Sequence, residues 1–93
     1  MEKLVKIVQD FGLQQRPYTA SNGENKIFKS RTLYLTDGID SFVADLTGEQ
    51  AESYTPLDPA LMHRVQCELR ARQWTDKDGQ LSYSNEITIR RIV

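Results

Sequence analysis

Residues 63–89 read HRVQCELRARQWTDKDGQLSYSNEITI, and this stretch decides the fold. Apolar and polar side chains alternate on both sides of an Asp-Gly turn signal at residues 78 and 79, which is the two-residue period of half-buried β-strands. An apolar row is formed in the first half by Val65, Cys67, Leu69 and Ala71. The stretch therefore predicts a hairpin of two long strands, His63–Thr75 and Leu81–Val93.

The length of the connecting loop determines the register of this hairpin. A loop of two or four residues would turn Ile87 and Ile89 away from the apolar row, because an odd change of register exchanges the two faces of a strand. A three-residue loop, Lys77–Gly79, keeps them on the apolar side, with a type I turn followed by Gly79 in the left-handed conformation. The predicted cross-strand pairs are Leu69–Ile87, Cys67–Ile89 and Arg70–Glu86, the last one as an ion pair.

Trp74 is the only tryptophan of the chain, and the alternation places it on the charged face together with Arg70 and Arg72. Two interpretations remain open. Trp74 either covers one end of the sheet or packs in a subunit interface while the arginines stay solvated. Alternatively, it is an exposed platform on which a base stacks, with guanidinium groups beside it for phosphates.

Three shorter strands and one helix are predicted upstream of the hairpin. The strands are Leu4–Leu13, which Gly12 bends, Lys26–Thr36 and Ile39–Leu46. A polar stretch with Pro17 and the Asn22-Gly23 turn signal separates the first two strands. Thr47 and Gln50 have the spacing of a capping box, and the helix that they open ends by Tyr54 because two prolines follow.

This order of elements predicts the fold class. Five strands with one short helix between the third and the fourth are typical of the OB-fold, an all-β, five-stranded Greek-key barrel whose face and loops bind oligonucleotides or oligosaccharides. A chain of 93 residues is long enough for a single small domain, which we expect to cover residues 1–93.

Charge is unevenly distributed along the chain, although the net charge is only −1. Between Thr32 and His63 there are six acidic residues and no basic one. The remainder of the chain carries an excess of positive charge, so a basic face is compatible with the near-neutral total. Lys29 and Arg31, on the second strand, either extend this basic track or are merely a solvated face.

Several classes of function are not indicated by the sequence. A single cysteine, Cys67, and a single histidine, His63, are too few for a disulfide or a metal site, and no phosphate-binding loop or dinucleotide fingerprint is present. We therefore expect no enzymatic activity, no cofactor and no small-molecule substrate. The cysteine usage indicates a reducing cytoplasm, and the start of the chain predicts neither a signal peptide nor a membrane span.

The hairpin also resembles a known family. LRARQWTDKDGQLSYSNEITI is similar to the last hairpin of bacterial single-stranded DNA-binding proteins. The matching residues are Leu69, Arg70, Arg72, Trp74, Asp76, Gly79, Tyr83 and Glu86. VADLTGEQAESY resembles the third strand and the start of the helix in that family, and EKLVKIV resembles its first strand. The resemblance implies an OB-fold that binds single strands.

The sequence departs from that family at several places. The family carries base-stacking aromatics near the start of its third strand and before the following glycine, where this chain has Asp40-Ser41 and Leu46-Thr47. Other aromatics that could replace them are Phe28, Tyr34 and Phe42, although we expect these in the core. The acidic tail of the family is not seen after the fifth strand, so the expected relatives are short, tail-less accessory proteins.

These observations lead to two hypotheses about function. In the first, the domain binds single-stranded DNA, or RNA, largely without sequence preference, as an accessory in replication, recombination or mobile-element transfer. The expected contacts are Trp74 and Tyr83 for bases, and Arg70, Arg72, Lys77, Lys29 and Arg31 for phosphates. In the second, the domain is a protein-interaction module without nucleic-acid binding, in which Trp74 anchors an interface. We expect a homodimer or homotetramer, because a small barrel gains stability by pairing its exposed strand edges.

Overall fold

A computed structural model describes the whole chain, Met1–Val93, as five β-strands and one short α-helix. The elements are β1 (Glu2–Thr19), β2 (Asn25–Thr36), β3 (Ser41–Thr47), α1 (Glu49–Ser53), β4 (His63–Thr75) and β5 (Leu81–Ile92). The strands pair in the order β1-β2-β3-β5-β4, and β4 pairs again with β1, so the sheet closes in a ring. The predicted all-β class, with one short helix between the third and fourth strands, is confirmed. No helix is long and apolar enough to cross a membrane.

The core fills the inside of this ring. Ten residues are buried and form one cluster: Val5, Ile7, Leu33, Leu35, Ala44, Leu46, Ala51, Val65, Cys67 and Ile89. All but Ala51, which α1 contributes, come from strands, and along the strands they alternate with residues that are exposed or only partly buried. The core is therefore the set of inward-facing rows of the strands, closed at one end by the helix.

The predicted register of the β4–β5 hairpin is confirmed. Leu69 lies opposite Ile87, and Cys67 lies opposite Ile89. The loop has three residues, since the amide of Asp76 donates to the carbonyl of Gln80 at 2.9 Å and closes the ladder there. Gly79 adopts a φ of 77°, the left-handed conformation that the loop requires.

Two details of the hairpin differ from the prediction. Arg70 lies opposite Glu86, but its guanidinium pairs with Glu68 on its own strand, while Glu86 lies 3.4 Å from Arg72. Side chains two residues apart share a face of a strand, and a long arginine leans along the strand to reach such a neighbour. Leu69 is 55% exposed rather than buried, because burial along the apolar row stops at Cys67, where the hairpin leaves the ring.

The first strand is much longer than predicted, since β1 continues through Pro17 to Thr19. The distal half of β1 pairs only with β2, and a strand with one free side tolerates a residue that lacks an N–H. The predicted bend at Gly12 is confirmed: the register shifts between Asp10 and Leu13, and Gly12 has a φ of 86°. Within this bulge, the amide of Gly12 donates a hydrogen bond to Oδ1 of Asp10 at 2.8 Å.

The predicted capping box is wrong. Thr47 is the last residue of β3 and pairs with Ser30 in the ladder, so Gly48 takes the N-cap position with a φ of 61° and without a side-chain cap. The side chain of Gln50 does not return to the helix start; its Nε2 donates to the carbonyl of Arg90 at 2.7 Å. The helix ends at Ser53 before an extended Tyr54, as expected.

The role of the ring in stability can be tested on one apolar row. Ile89 is fully buried, so we expect Ile89→Ala to lower the free energy of unfolding by roughly 2–5 kcal/mol. Leu69 belongs to the same face of the hairpin but lies outside the ring, so Leu69→Ala should cost on the order of 1 kcal/mol or less. Urea denaturation measures both changes. Equal losses would contradict the position of the core boundary.

The β2–β3 turn is held by the carboxylate of Asp37. Its Oδ1 accepts hydrogen bonds from the amides of Asp40 at 2.7 Å and Ile39 at 2.9 Å, and its Oδ2 lies 3.0 Å from Nζ of Lys3 on β1. The amide hydrogen bonds and then Lys3 lower the pKa of Asp37 from 3.8 to about 2. This turn therefore favours the ionised carboxylate.

A pH dependence of stability follows from this lowered pKa. Because the folded-state pKa is below the unfolded one, the stabilisation is complete above the unfolded pKa of Asp37 and is lost as the pH falls from about 4 to about 2. The free energy of unfolding of the wild type should therefore fall more steeply over that window than that of Asp37→Asn. Asp78→Asn, at an exposed turn, is the control and should follow the wild type. Parallel curves for Asp37→Asn and the wild type would refute the expectation.

Candidate nucleic-acid interface

Each of the two long hairpins has two faces that continue surfaces of the ring. We call the face that continues the inward rows the inner-row face, and the opposite one the outer face. In the β4–β5 hairpin the register is regular from Cys67 to Thr75, so Arg70, Arg72 and Trp74 lie on the outer face. The predicted separation of Trp74 from the apolar row is confirmed.

Trp74 is 43% exposed on this outer face, near the tip of the hairpin. An open cleft beside it is lined by Arg72, Trp74 and Ser84. Ser82 lies opposite Trp74, and Ser84 follows on the same face of β5; both side chains are small. The exposed part of the indole is therefore available to a flat partner.

The charges on the outer face are partly neutralised. The carboxylate of Glu68 pairs with both Arg70 and Arg90, and the hydrogen bond from Arg90 is the main reason that the pKa of Glu68 is lowered. Arg72 is held more loosely, by a solvent-exposed pair with Glu86 at 3.4 Å. Lys77, in the loop, makes no ion pair. In the distal half of this hairpin, the cations most available to an anionic ligand are therefore Arg72 and Lys77.

Tyr83 is not brought together with Trp74. It lies opposite Gln73 on the inner-row face, where it is exposed two residues after Leu81 on the same strand. A single base cannot contact both aromatic rings, because the backbone of the hairpin lies between them. The alternation along β5 is the sequence signal for this placement, because Tyr83 is an even number of residues from Ile87 and Ile89.

Lys29 and Arg31 lie away from the β4–β5 hairpin and are used within the fold. Nζ of Lys29 is 2.7 Å from the carboxylate of Glu52 on α1. The guanidinium of Arg31 lies 2.8 Å from Asp10 and also sits over the ring of Tyr54, 4.9 Å from its centroid. Both cations continue the inward row of β2 at the helix end of the ring, so they lie on a different surface from Trp74.

The aromatics of β2 differ from their expected placement. Phe28 and Tyr34 are on the outer face of β2 and are partly exposed, whereas Phe42 packs against the core as expected. The distal part of the β1–β2 hairpin, with Arg16 and Tyr18, is a pair of strands, although Pro17 and its polar neighbours predict a loop there. The alternation of residues 14, 16 and 18 was the signal for a strand there.

The remaining reactive groups have ordinary structural roles. Burial raises the pKa of the Cys67 thiol, which makes it a poor nucleophile at neutral pH. Nε2 of His63 lies 3.0 Å from the carbonyl oxygen of Asp58 and holds the loop after α1. No group of histidine, cysteine, aspartate and glutamate side chains is arranged to bind a metal ion.

Compared with known proteins, the chain matches no protein-family model and no curated protein.

Proposed function

We propose that this protein is an OB-fold domain that binds single-stranded DNA with little sequence preference. The observation that carries the proposal is the exposed indole of Trp74 beside Arg72 on the outer face of the β4–β5 hairpin. The strand order and the position of the helix support the OB-fold, and the resemblance of the hairpin to bacterial single-stranded DNA-binding proteins supports the ligand.

Stacking explains why this position favours a tryptophan. A base that stacks on an exposed aromatic ring contributes roughly 1–3 kcal/mol, and every base offers a flat face, so the contact tolerates any sequence. Duplex DNA keeps its bases paired and stacked inside, which favours single strands at this site. RNA offers the same bases and phosphates and is the natural competitor.

Phosphates would be bound by exchange of ion pairs. Arg72 would leave Glu86, from which it is 3.4 Å away, and an exposed pair of this kind is worth only about 0–1 kcal/mol. Lys77 forms no ion pair that would have to break before it contacts a phosphate. Arg70 contributes less, because Glu68 already pairs with it.

The acidic middle of the chain is compatible with this proposal. Asp37 and Asp40 pair with Lys3, and Glu52 pairs with Lys29. Asp45, the carboxylate on the outer face of β3, accepts a hydrogen bond from Oγ1 of Thr32 at 2.6 Å. Asp37, Asp40 and Glu52 are thus each paired with a cation of the protein. An accessory role in replication, recombination or mobile-element transfer remains the expected context.

A second function is favoured by the other face of the same hairpin. Leu69, Leu81 and Tyr83 are exposed on the inner-row face and continue the apolar row of the core. Exposed leucines and a tyrosine on one face are typical of a protein interface, although here Gln73 and Asn85 lie among them. Such a surface suits self-association, and a pure interaction module would use it without binding nucleic acid.

Binding of labelled oligo(dT), followed by fluorescence anisotropy, tests the proposal. Trp74→Ala should weaken binding by roughly 1–3 kcal/mol without changing the salt dependence, because stacking releases no counterions. Arg72→Ala should instead flatten the slope of log K against log salt by about 0.7, the value for one phosphate on a single strand. Tyr83→Ala is the matched control, since its ring is exposed on the opposite face.

The contradicting outcomes are distinct. Wild-type protein that shows no salt-sensitive binding at low ionic strength would eliminate DNA binding and leave the interaction module. Equal losses of affinity for oligo(dT) in Trp74→Ala and Tyr83→Ala would show that the outer face has no special role in binding, provided that circular dichroism shows both variants folded.

Self-association is tested separately by light scattering. We expect a dimer or tetramer at micromolar concentration, with Leu81→Glu shifting the mass toward the monomer, because a charge on the inner-row face opposes apolar contact. Ser84→Glu places the same charge on the outer face and should leave the mass unchanged. A monomeric wild type would contradict the expectation.

A further inference from the structure

The ring is closed between β3 and β5 by very little pairing. The two strands run parallel there and pair at one position only, Asp45 with Thr88. Every other neighbouring pair of strands in the ring is joined at four positions or more. β5 continues past Thr88 to Ile92, and this last segment has β4 on one side and no strand on the other. Residues 89–92 therefore have a free strand edge, which we call the β5 edge.

A glutamine side chain occupies part of the β5 edge. Nε2 of Gln50, on α1, donates to the carbonyl oxygen of Arg90 at 2.7 Å. An amide of a neighbouring strand would make the same kind of hydrogen bond. The carbonyl of Arg90 thus accepts a donor from outside the sheet. Because the side chain of Gln50 is exposed, another amide can take its place with little loss of hydrogen-bond energy.

A cleft of about 300 Å³ lies between α1 and the β5 edge. Its lining includes the buried side chains of Leu46 and Ile89, so the cleft reaches the core of the ring. Tyr54 and Ile92, which pack against the core and are partly buried, line it as well. The ring of Tyr54 is held in place by Arg31, which lies over it at 4.9 Å. This α1–β5 cleft is therefore a preformed apolar site with room for one aliphatic side chain.

The charge at the α1–β5 cleft is positive. Arg91 lines the cleft, is exposed and forms no ion pair, whereas its neighbour Arg90 pairs with Glu68. No carboxylate of the protein lines the cleft. An unpaired guanidinium beside an apolar cleft favours a partner that carries a carboxylate next to an apolar side chain.

We propose that the α1–β5 cleft is a docking site for an extended acidic segment of a partner protein. An amide of the segment replaces Gln50 at the carbonyl of Arg90, an apolar side chain enters the cleft, and a carboxylate one or two residues away pairs with Arg91. In this mode of recognition the main-chain hydrogen bonds to a strand edge provide affinity, and the side-chain cleft provides specificity. The inference goes beyond the proposed function, because it concerns a protein partner and does not use Trp74.

The topology keeps this site apart from the one proposed for DNA. Trp74 lies opposite Ser82, near the start of β5, whereas the cleft is lined by Ile89 and later residues at its end. The intervening stretch of extended strand is about 20 Å long. The domain can therefore hold a single strand of DNA and a partner protein at the same time.

Selection from a phage-displayed library of random peptides tests the docking site. We expect the wild type to enrich peptides in which an aliphatic residue stands within two positions of aspartate or glutamate. Arg91→Glu should lose this enrichment. Lys77→Glu is the matched control, because it changes the net charge equally at an unpaired cation in the loop of the β4–β5 hairpin. Absence of a common motif with the wild type, or the same motif with Arg91→Glu, would overturn the proposal.

The most enriched peptide, carrying a fluorescent label, then gives affinities by anisotropy. Arg91→Glu should weaken binding on the order of 10-fold, whereas Lys77→Glu should leave it nearly unchanged. Gln50→Ala should tighten binding by about 2- to 10-fold, because it removes the amide that competes for the carbonyl of Arg90. Weaker binding by a Gln50→Ala variant that circular dichroism shows to be folded would overturn this exchange.

Methylation of the peptide amides tests the main-chain contact. Successive amides of an extended segment point to opposite sides, so only one alternating set can face the β5 edge. Methylating that set should weaken binding by at least about 5-fold, while methylating the other set should have little effect. Equal effects of the two sets would overturn docking along a strand edge.

Other surfaces and occupants give different results. Changes in amide chemical shifts on peptide binding should be concentrated at residues 50–54 and 89–92, and changes confined to residues 81–83 would place the peptide on the inner-row face and overturn the proposal. Displacement of the peptide by oligo(dT) would show that nucleic acid occupies the cleft. A shift of Arg91→Glu toward the monomer in light scattering would show that a second copy of the chain does. Either result would also overturn the proposal.

The outcomes for the docking site and for the proposed function are independent. Arg91→Glu should bind oligo(dT) like the wild type, since Arg91 is not among the residues proposed to contact DNA. Loss of the peptide motif with unchanged oligo(dT) binding would overturn the docking site alone. Peptide binding that depends on Arg91, in a protein that does not bind oligo(dT), would support the docking site and overturn the proposed function alone.

Discussion

Closure of the sheet through β1 is the constraint on which the rest of the structure depends. The start of β1 pairs with β4, and its remainder pairs with β2, so one strand joins both sides of the ring. β1 can do so because it bends at a bulge. There Gly12 has a positive φ, and its amide donates a hydrogen bond to the carboxylate of Asp10. The same Asp10 pairs with Arg31, which links the bend to the charged end of the core.

The size of the closed ring then determines what each strand can bury. Only ten residues are fully enclosed, while β1, β2, β4 and β5 each have at least 12 residues. The excess length forms two hairpins that leave the ring with both faces in solvent. Leu69 and Leu81 are exposed for this reason, although their pattern is that of core residues. Exposed apolar and aromatic side chains on such hairpins are available for partners rather than for stability.

The face of the strand on which a cation lies determines whether it stabilises the fold or stays accessible. Lys29 and Arg31 continue the inward row of β2, where Glu52 and Asp10 approach, so they stabilise the end of the ring. Arg16, Arg72 and Lys77 are on outer faces or in a turn, where carboxylates are distant or exposed. Arg16 and Lys77 form no ion pair, and the pair of Arg72 with Glu86 is exposed, so these three cations stay accessible to an anion.

Local patterns in the sequence determined the hairpin of residues 63–93, including its three-residue loop, the Leu69–Ile87 register and the side taken by Trp74. These depend on a two-residue period and on one turn, both of which are short-range. Only the tertiary structure decided which rows are enclosed, since that depends on where β1 and β4 meet. It therefore decided that Leu69 is exposed, that Arg31 is paired, that Thr47 stays in a strand instead of capping α1, and that Arg16, Tyr18 and Phe28 share one face. A proline in the sequence suggested a loop, but long-range pairing with β2 kept that segment extended.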